Sequence, residues 1–181
     1  MMRIAVDIRS AEGARAGKGV YTFNLLRALL HIDQENEYIL YSRTKIAGFS
    51  HFKNVSQKFI TAPGMLWHYK TLNDLKRRKV DLFWAPNSYI IPSLLPKSIK
   101  SIITVHDLVA FLFANSHNKK ATIIEKTFLK RAAKKAHTIL TVSENTKEDL
   151  IEILNSEPQK IQTIYCASSE KFPELSKEDL H

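Results

Sequence analysis

Ile102-Ile103-Thr104-Val105-His106-Asp107 is a β-rich run that stops on a polar, charged pair. After an intervening basic helical stretch, Thr138-Ile139-Leu140-Thr141-Val142 repeats the pattern and stops at Ser143-Glu144. Apolar strands separated by helical segments point to a mostly parallel sheet. In such sheets, groups just past the carboxyl ends of the strands lie in the ligand crevice. Both pairs are therefore well placed for chemistry.

The same alternation extends in both directions. Arg3 to Asp7 reads as a short buried strand, and Gly13, Gly17 and Gly19 punctuate the loop after it. From Val20 the apolar period becomes helical, with Val20, Phe23, Leu26 and Leu30 on one stripe. Strands are expected at Glu37–Tyr41, Lys58–Thr61 and Asp81–Ala85, with a helix from Leu66 to Arg78 between the last two. Pro92 and Pro96 predict an irregular connection after Pro86-Asn87-Ser88. A helix over Lys119–Lys135 precedes the second polar-ended strand. Ser143 then caps a helix that runs to Leu154, with Thr146 where a full capping box needs Glu or Gln. Asn155 and Pro158 stop that helix, and Ile161–Tyr165 is the last strand. The expected fold is α/β: a Rossmann-like three-layer sandwich over residues 1–165, with a polar tail over 166–181 that begins an interdomain linker.

With 181 residues, the chain is long enough for one domain with its own core. The formal charge of +9 calls for an anionic partner: nucleic acid, phospholipid head groups or a nucleotide diphosphate. Cys166 is the only cysteine, which excludes a disulfide framework and a thiolate zinc cluster and fits a reducing cytoplasm. The opening residues are expected to enter a strand at once, without a signal peptide. No apolar run approaches the ~20 residues that span a bilayer. The expected location is cytoplasmic, soluble or peripheral on the inner face of a membrane.

Two phosphate motifs fail on spacing. Gly13-Ala14-Arg15-Ala16-Gly17-Lys18-Gly19 is one residue too short for a P-loop, and Gly19 stands where Ser or Thr would bind magnesium. The glycines do not space as a dinucleotide fingerprint either. What remains is a glycine-rich turn before a helix, a site where backbone N–H groups meet an anion at the positive end of the helix dipole. His106, past a strand end and beside Asp107, is the candidate for chemistry; Asp107 alternatively holds the turn through its own backbone. An Asp7–Asp107 carboxylate pair of the glycosidase kind is a further alternative. Lys126, Lys130 and Lys134 form one helical row with Arg131 and Lys135 nearby, opposite an apolar stripe of Ala121, Ile124, Phe128, Ala132 and Ala136. The row suits a solvated face or an anionic membrane. The seven histidines show no paired metal-ligand spacing.

Four segments taken in order resemble the N-terminal domain of the retaining GT-B glycosyltransferases of the group 1, or family 4, type. They are Ala16-Gly17-Lys18-Gly19-Val20-Tyr21-Thr22 running on to Leu29, Phe83-Trp84-Ala85-Pro86-Asn87, Thr104-Val105-His106-Asp107-Leu108, and Thr141-Val142-Ser143-Glu144. Ile161 to Tyr165, followed by Lys171-Phe172, is similar to the passage where such enzymes leave the first domain. There the family has Asn-Gly after the tyrosine, and this chain has Cys166-Ala167.

The resemblance implies a transferase of hexosyltransferase type, moving a sugar from a nucleotide-sugar to a glycan or lipid-linked acceptor, as in polysaccharide biosynthesis. It implies donor-diphosphate binding at Gly17, Lys18 and Gly19, a catalytic-centre role for His106, and acceptor binding by Asn87, Tyr89 and Asp107. It implies no cofactor and no divalent metal. It also implies a C-terminal donor-binding domain, which these residues do not contain, so that the fragment alone is inactive. The alternatives are a basic nucleic-acid or phosphate-binding module and a Rossmann enzyme complete in one domain.

Overall fold

The computed structural model describes residues 1–112 and 119–167, with side chains from 113 to 122 and at 124 outside the description. Seven strands form one sheet: β1 (Arg3–Asp7), β2 (Glu37–Ser42), β3 (Val55–Phe59), β4 (Leu82–Ala85), β5 (Lys100–Val105), β6 (Thr138–Thr141) and β7 (Ile161–Thr163). Their order is β3-β2-β1-β4-β5-β6-β7, and every pairing is parallel. The order reverses between β1 and β4, and this switch point is where parallel α/β sheets open a crevice.

The helices are α1 (Lys18–Ile32), α2 (Gly64–Arg77), α3 (Ile90–Leu94), α4 (Val109–Leu112), α5 (Lys119–Lys135) and α6 (Glu144–Leu154). Alternate residues of the central strands feed two cores. Val6 and Leu40 pack with Leu26 and Leu30 of α1 and with Phe49 of the β2–β3 loop. Ala5, Tyr41, Phe83 and Ile103 pack on the other side with Trp67 and Leu75 of α2, Ile91 of α3, Leu129 of α5 and Leu150 of α6. Three layers result, because a strand buried on both faces needs a partner on each.

Three expectations shift. The third strand is Val55–Phe59 rather than Lys58–Thr61. As the sheet edge it pairs only with β2 and is half exposed, so its apolar signal is weak beside that of the following Ile60. The connection after Ser88 is not wholly irregular, since it contains α3 with Pro92 inside it. Pro92 sits at the third helical position, where a backbone N–H has no intrahelical partner and its absence costs nothing. The basic α5 is also less free than its sequence suggests. Lys135 donates from Nζ to the carbonyls of Ser93 (3.1 Å) and Leu95 (2.5 Å) at the end of α3, and burial lowers its pKa. Phe128, Ala132 and Ala136 turn inward as expected, whereas Ala121 and Ile124 lie outside the described side chains, as does the tail from residue 168.

Candidate active site

β1 delivers Asp7 to the switch point, and the chain then turns through Ile8 to Arg9. Asp7 is 5% exposed and accepts three times from Arg9, from its backbone N–H at 3.2 Å, from Nε at 2.9 Å and from Nη2 at 2.7 Å. The Arg9 guanidinium lies over the Trp67 ring of α2, its Cζ 3.6 Å from the ring centroid. Beside it, burial first and then the Arg9 charge push the His68 imidazole down to about 4, so it is neutral near pH 7. Among the described residues, Trp67 Nε1 and His68 Nδ1 are buried without a hydrogen-bond partner.

The glycine turn folds over this strand end. Gly17 has φ +38°, a left-handed backbone that favours glycine, and immediately precedes α1. Gly19 is there for room: a Cβ on it would stand 2.3 Å from the Ser10 carbonyl oxygen. The Gly19 N–H donates to the Ala16 carbonyl at 2.8 Å, and the amides of Gly17 and Lys18 are among those left free where the helix opens. The Lys18 ammonium reaches forward to Asp107 Oδ2 at 3.4 Å.

His106 stands past β5 and is half-buried. Its Nε2 lies 2.9 Å from the Pro86 carbonyl, which can only accept, so the neutral ring carries its proton on Nε2 and leaves Nδ1 as an acceptor. Burial, followed by nearby Lys18, lowers its pKa, against the opposing pull of the Pro86 carbonyl and Asp107. Tyr21 of α1 meets the imidazole edge to face, with ring centroids 4.8 Å apart. Asp107 Oδ1 accepts from the Val109 N–H at 3.3 Å, which holds the turn, while Oδ2 pairs with Lys18. Asp7 and Asp107 pair with different cations, Arg9 and Lys18.

Ser143 caps α6 by accepting from the Thr146 N–H at 3.2 Å. Thr146 replaces the missing capping-box acid in an unexpected way, bonding through its hydroxyl to Ser143 Oγ (2.9 Å) and donating to the His106 carbonyl (3.2 Å). Glu144 is held below its usual range by a Thr163 hydrogen bond and by Lys147. The second strand ending thus braces the first.

Two hollows lie along this edge. One of about 230 Å³ is lined by Asp7, Arg9, Ser10, Asn87 and Ser88. The other, about 340 Å³, shares Asn87 and Ser88 and adds Lys18, the buried Tyr89, and Glu125 and Phe128 of α5. The structure thus gathers Lys18, Asn87, Tyr89, His106 and Asp107 at the carboxyl edge, with Gly17 and Gly19 shaping the α1 entry. Sequence reasoning missed Arg9, Trp67, His68 and Glu125. Only Arg9 left a signal, two residues after a strand-ending aspartate. A larger open groove of about 790 Å³ lies between β3 and α2, lined by Lys58, Lys70, Asn73, Lys76 and Arg77 among others. Among the described residues, no group of three or more His, Cys, Asp or Glu side chains is placed to hold a metal ion.

Residues 16–168 match the family model described as Glycosyltransferase Family 4. Among solved structures, the apo form of the lipopolysaccharide outer core galactosyltransferase WaaB is similar, with 18% identity, TM-score 0.56, and coverage of 97% of this chain and 50% of that one. A glycosyltransferase from Rickettsia africae ESF-5 is similar at 15% identity and TM-score 0.52, covering 91% of this chain and 42% of that one. This chain thus spans half or less of the length of those structures. No curated protein matches by sequence. The family match covers most of the chain, and the all-parallel sheet has the architecture of such a half. The chain belongs to glycosyltransferase family 4 and has the fold of the N-terminal, Rossmann-like half of a GT-B enzyme.

Proposed function

We propose that the chain is the acceptor-side half of a hexosyltransferase, completed by a second Rossmann-like domain that binds the nucleotide-sugar. The observation that carries this reading is the grouping of His106, the Lys18–Asp107 pair and the opening turn of α1 at one end of the sheet. Breaking the anomeric C–O bond of the donor leaves positive charge on the sugar and negative charge on the diphosphate. The amides of Gly17 and Lys18, the α1 dipole and the Lys18 ammonium are suited to the diphosphate side of that charge separation. Gly19 contributes by letting α1 approach β1. The reading calls for no divalent metal, since these groups provide the positive field. His106, neutral and bound to Pro86 through Nε2, offers Nδ1 to a sugar hydroxyl and is not a nucleophile. Asn87, Tyr89 and Asp107 line the acceptor side.

The acceptor is a glycan or a lipid-linked glycan, and the basic outer surface suits a peripheral position on the cytoplasmic face of an anionic membrane. No described helix is long and apolar enough to cross a membrane. The family match leaves the basic nucleic-acid module and the self-sufficient Rossmann enzyme without support of their own.

Titration calorimetry of this chain with UDP- and GDP-sugars tests the reading. The expected affinity is no better than about millimolar, roughly −4 kcal/mol, with no turnover unless the second domain is supplied. Micromolar binding or sugar transfer by these 181 residues alone would overturn the half-enzyme reading.

A further inference from the structure

From the hollow at the switch point we infer a binding subsite for a neutral sugar ring, with Arg9 as its orienting residue. The inference rests on the glycosyltransferase reading and deepens it, by naming where the acceptor's terminal ring sits and what chemistry recognises it. The hollow measures about 230 Å³. That lies below the about 300–1,000 Å³ of pockets enclosing drug-sized ligands, which suits one pyranose rather than a nucleotide.

Its walls suit hydroxyl groups and not an anion. Two of the five guanidinium N–H donors of Arg9 are spent on Asp7, leaving the others for a ligand. The Asp7 carboxylate retains acceptor capacity on the same wall and compensates the Arg9 charge. A phosphate entering here would meet that carboxylate, whereas a vicinal diol donates to Asp7 and accepts from Arg9. Across the hollow, the exposed Asn87 amide and the Ser88 hydroxyl make no side-chain hydrogen bond to the described residues. Arg9 is also fixed in place before any ligand arrives, forked to the Asp7 carboxylate and lying over the Trp67 ring. Such preorganisation removes an ordering cost from binding. Because Asn87 and Ser88 also line the hollow that contains Lys18, a ring held by Arg9 borders the proposed reaction centre.

NMR titration of the chain tests this, following the Trp67 indole N–H and the Arg9 Nε–H. The probes are the methyl glycosides of glucose, galactose and mannose and, separately, inorganic phosphate. At least one glycoside should shift both signals saturably below about 100 mM, a Kd weaker than the millimolar mark. Asn87→Ala, which removes an exposed side chain, should weaken that binding at least about fivefold with the melting temperature unchanged. Arg9→Lys keeps the charge, loses the fork and should abolish binding; if it fails to fold, Asn87→Ala carries the test. Shifts with phosphate but with no glycoside overturn the inference, and so does silence from every glycoside. Donor-dependent transfer by the two-domain enzyme, found alongside such silence, would remove this subsite and leave the glycosyltransferase reading standing. Saturable glycoside binding without transfer from any donor would do the reverse.

Discussion

His106 has a structural role and a proposed role in the cleft, and a single substitution can separate the two. The imidazole donates to the Pro86 carbonyl and packs edge-on with Tyr21, so it contributes to the fold as well as to the cleft. Removing it should cost stability of about 1 kcal/mol, the net worth of one hydrogen bond. Its proposed role toward a sugar hydroxyl is worth more. In the two-domain enzyme, His106→Ala should lower kcat by about tenfold to a thousandfold, roughly 1.4–4 kcal/mol of transition-state stabilisation. Activity per folded molecule and melting temperature are measured on the same variant. A drop of many degrees in melting with normal kcat would make His106 a structural residue only. Position alone marked this histidine in the sequence. Its tautomer depends on Pro86, and its depressed pKa on burial first and then on Lys18; these residues lie about 20 and 90 positions away in the chain, and local pattern carries no record of them.

At the scale of elements, the entry of α1 decides the geometry of the cleft. The helix begins against the turn that follows β1, and Gly19 permits contact with the Ser10 backbone that no other residue allows. Gly19→Ala would drive a Cβ into a carbonyl oxygen at 2.3 Å. The expected loss is about 1–3 kcal/mol, the usual cost of overpacking, seen as a lower midpoint in urea with the slope unchanged. Gly17→Ala meets open space, so only its φ of +38° opposes it, at about 1–2 kcal/mol. A Gly19→Ala protein as stable as the parent would show that α1 can shift away from β1. The helix α2 is pinned in a different manner. Asp74 accepts from the Tyr41 hydroxyl of β2 at 2.9 Å and from Arg77 and Arg78, and these bonds hold its carboxyl below the usual range despite burial. Arg77 and Arg78 are therefore partly committed to the buried Asp74 while their side chains stay open to solvent.

Across the whole molecule, the +9 charge is distributed unevenly in its consequences. Lys18, Arg9, Arg78 and Lys135 are held by partners. Lys130, Arg131 and Lys134 on α5 remain exposed, and Lys70 and Lys76 of α2 border the open groove beside β3. Each exposed cation near an anionic bilayer contributes about 1 kcal/mol, so a handful produces weak attachment. Sedimentation with vesicles should show binding to anionic lipid that fades as salt rises toward about 0.5 M, where screening shortens to a few ångströms. Equal binding to neutral vesicles would reject the electrostatic account.

By itself the sequence determined the fold class, most elements to within one or two residues, and the carboxyl-edge location of His106, Asp107, Asn87 and Lys18. These follow from period and punctuation, which are local properties of the chain. It fell short at β3, where an edge strand lacks a buried apolar face, and at α3, where a proline at the third position looks like a breaker. Tertiary structure alone decided that Arg9 lies on Trp67 and pairs with Asp7, that His68 is buried beside them, and that Thr146 ties α6 to the His106 backbone. Apart from the local Arg9–Asp7 pair, these contacts join segments brought together by the fold: α2 shares the core with β1, and β6 lies beside β5 so that α6 reaches the His106 backbone. Periodicity says which face of a strand is buried, and only the folded chain says what stands against it.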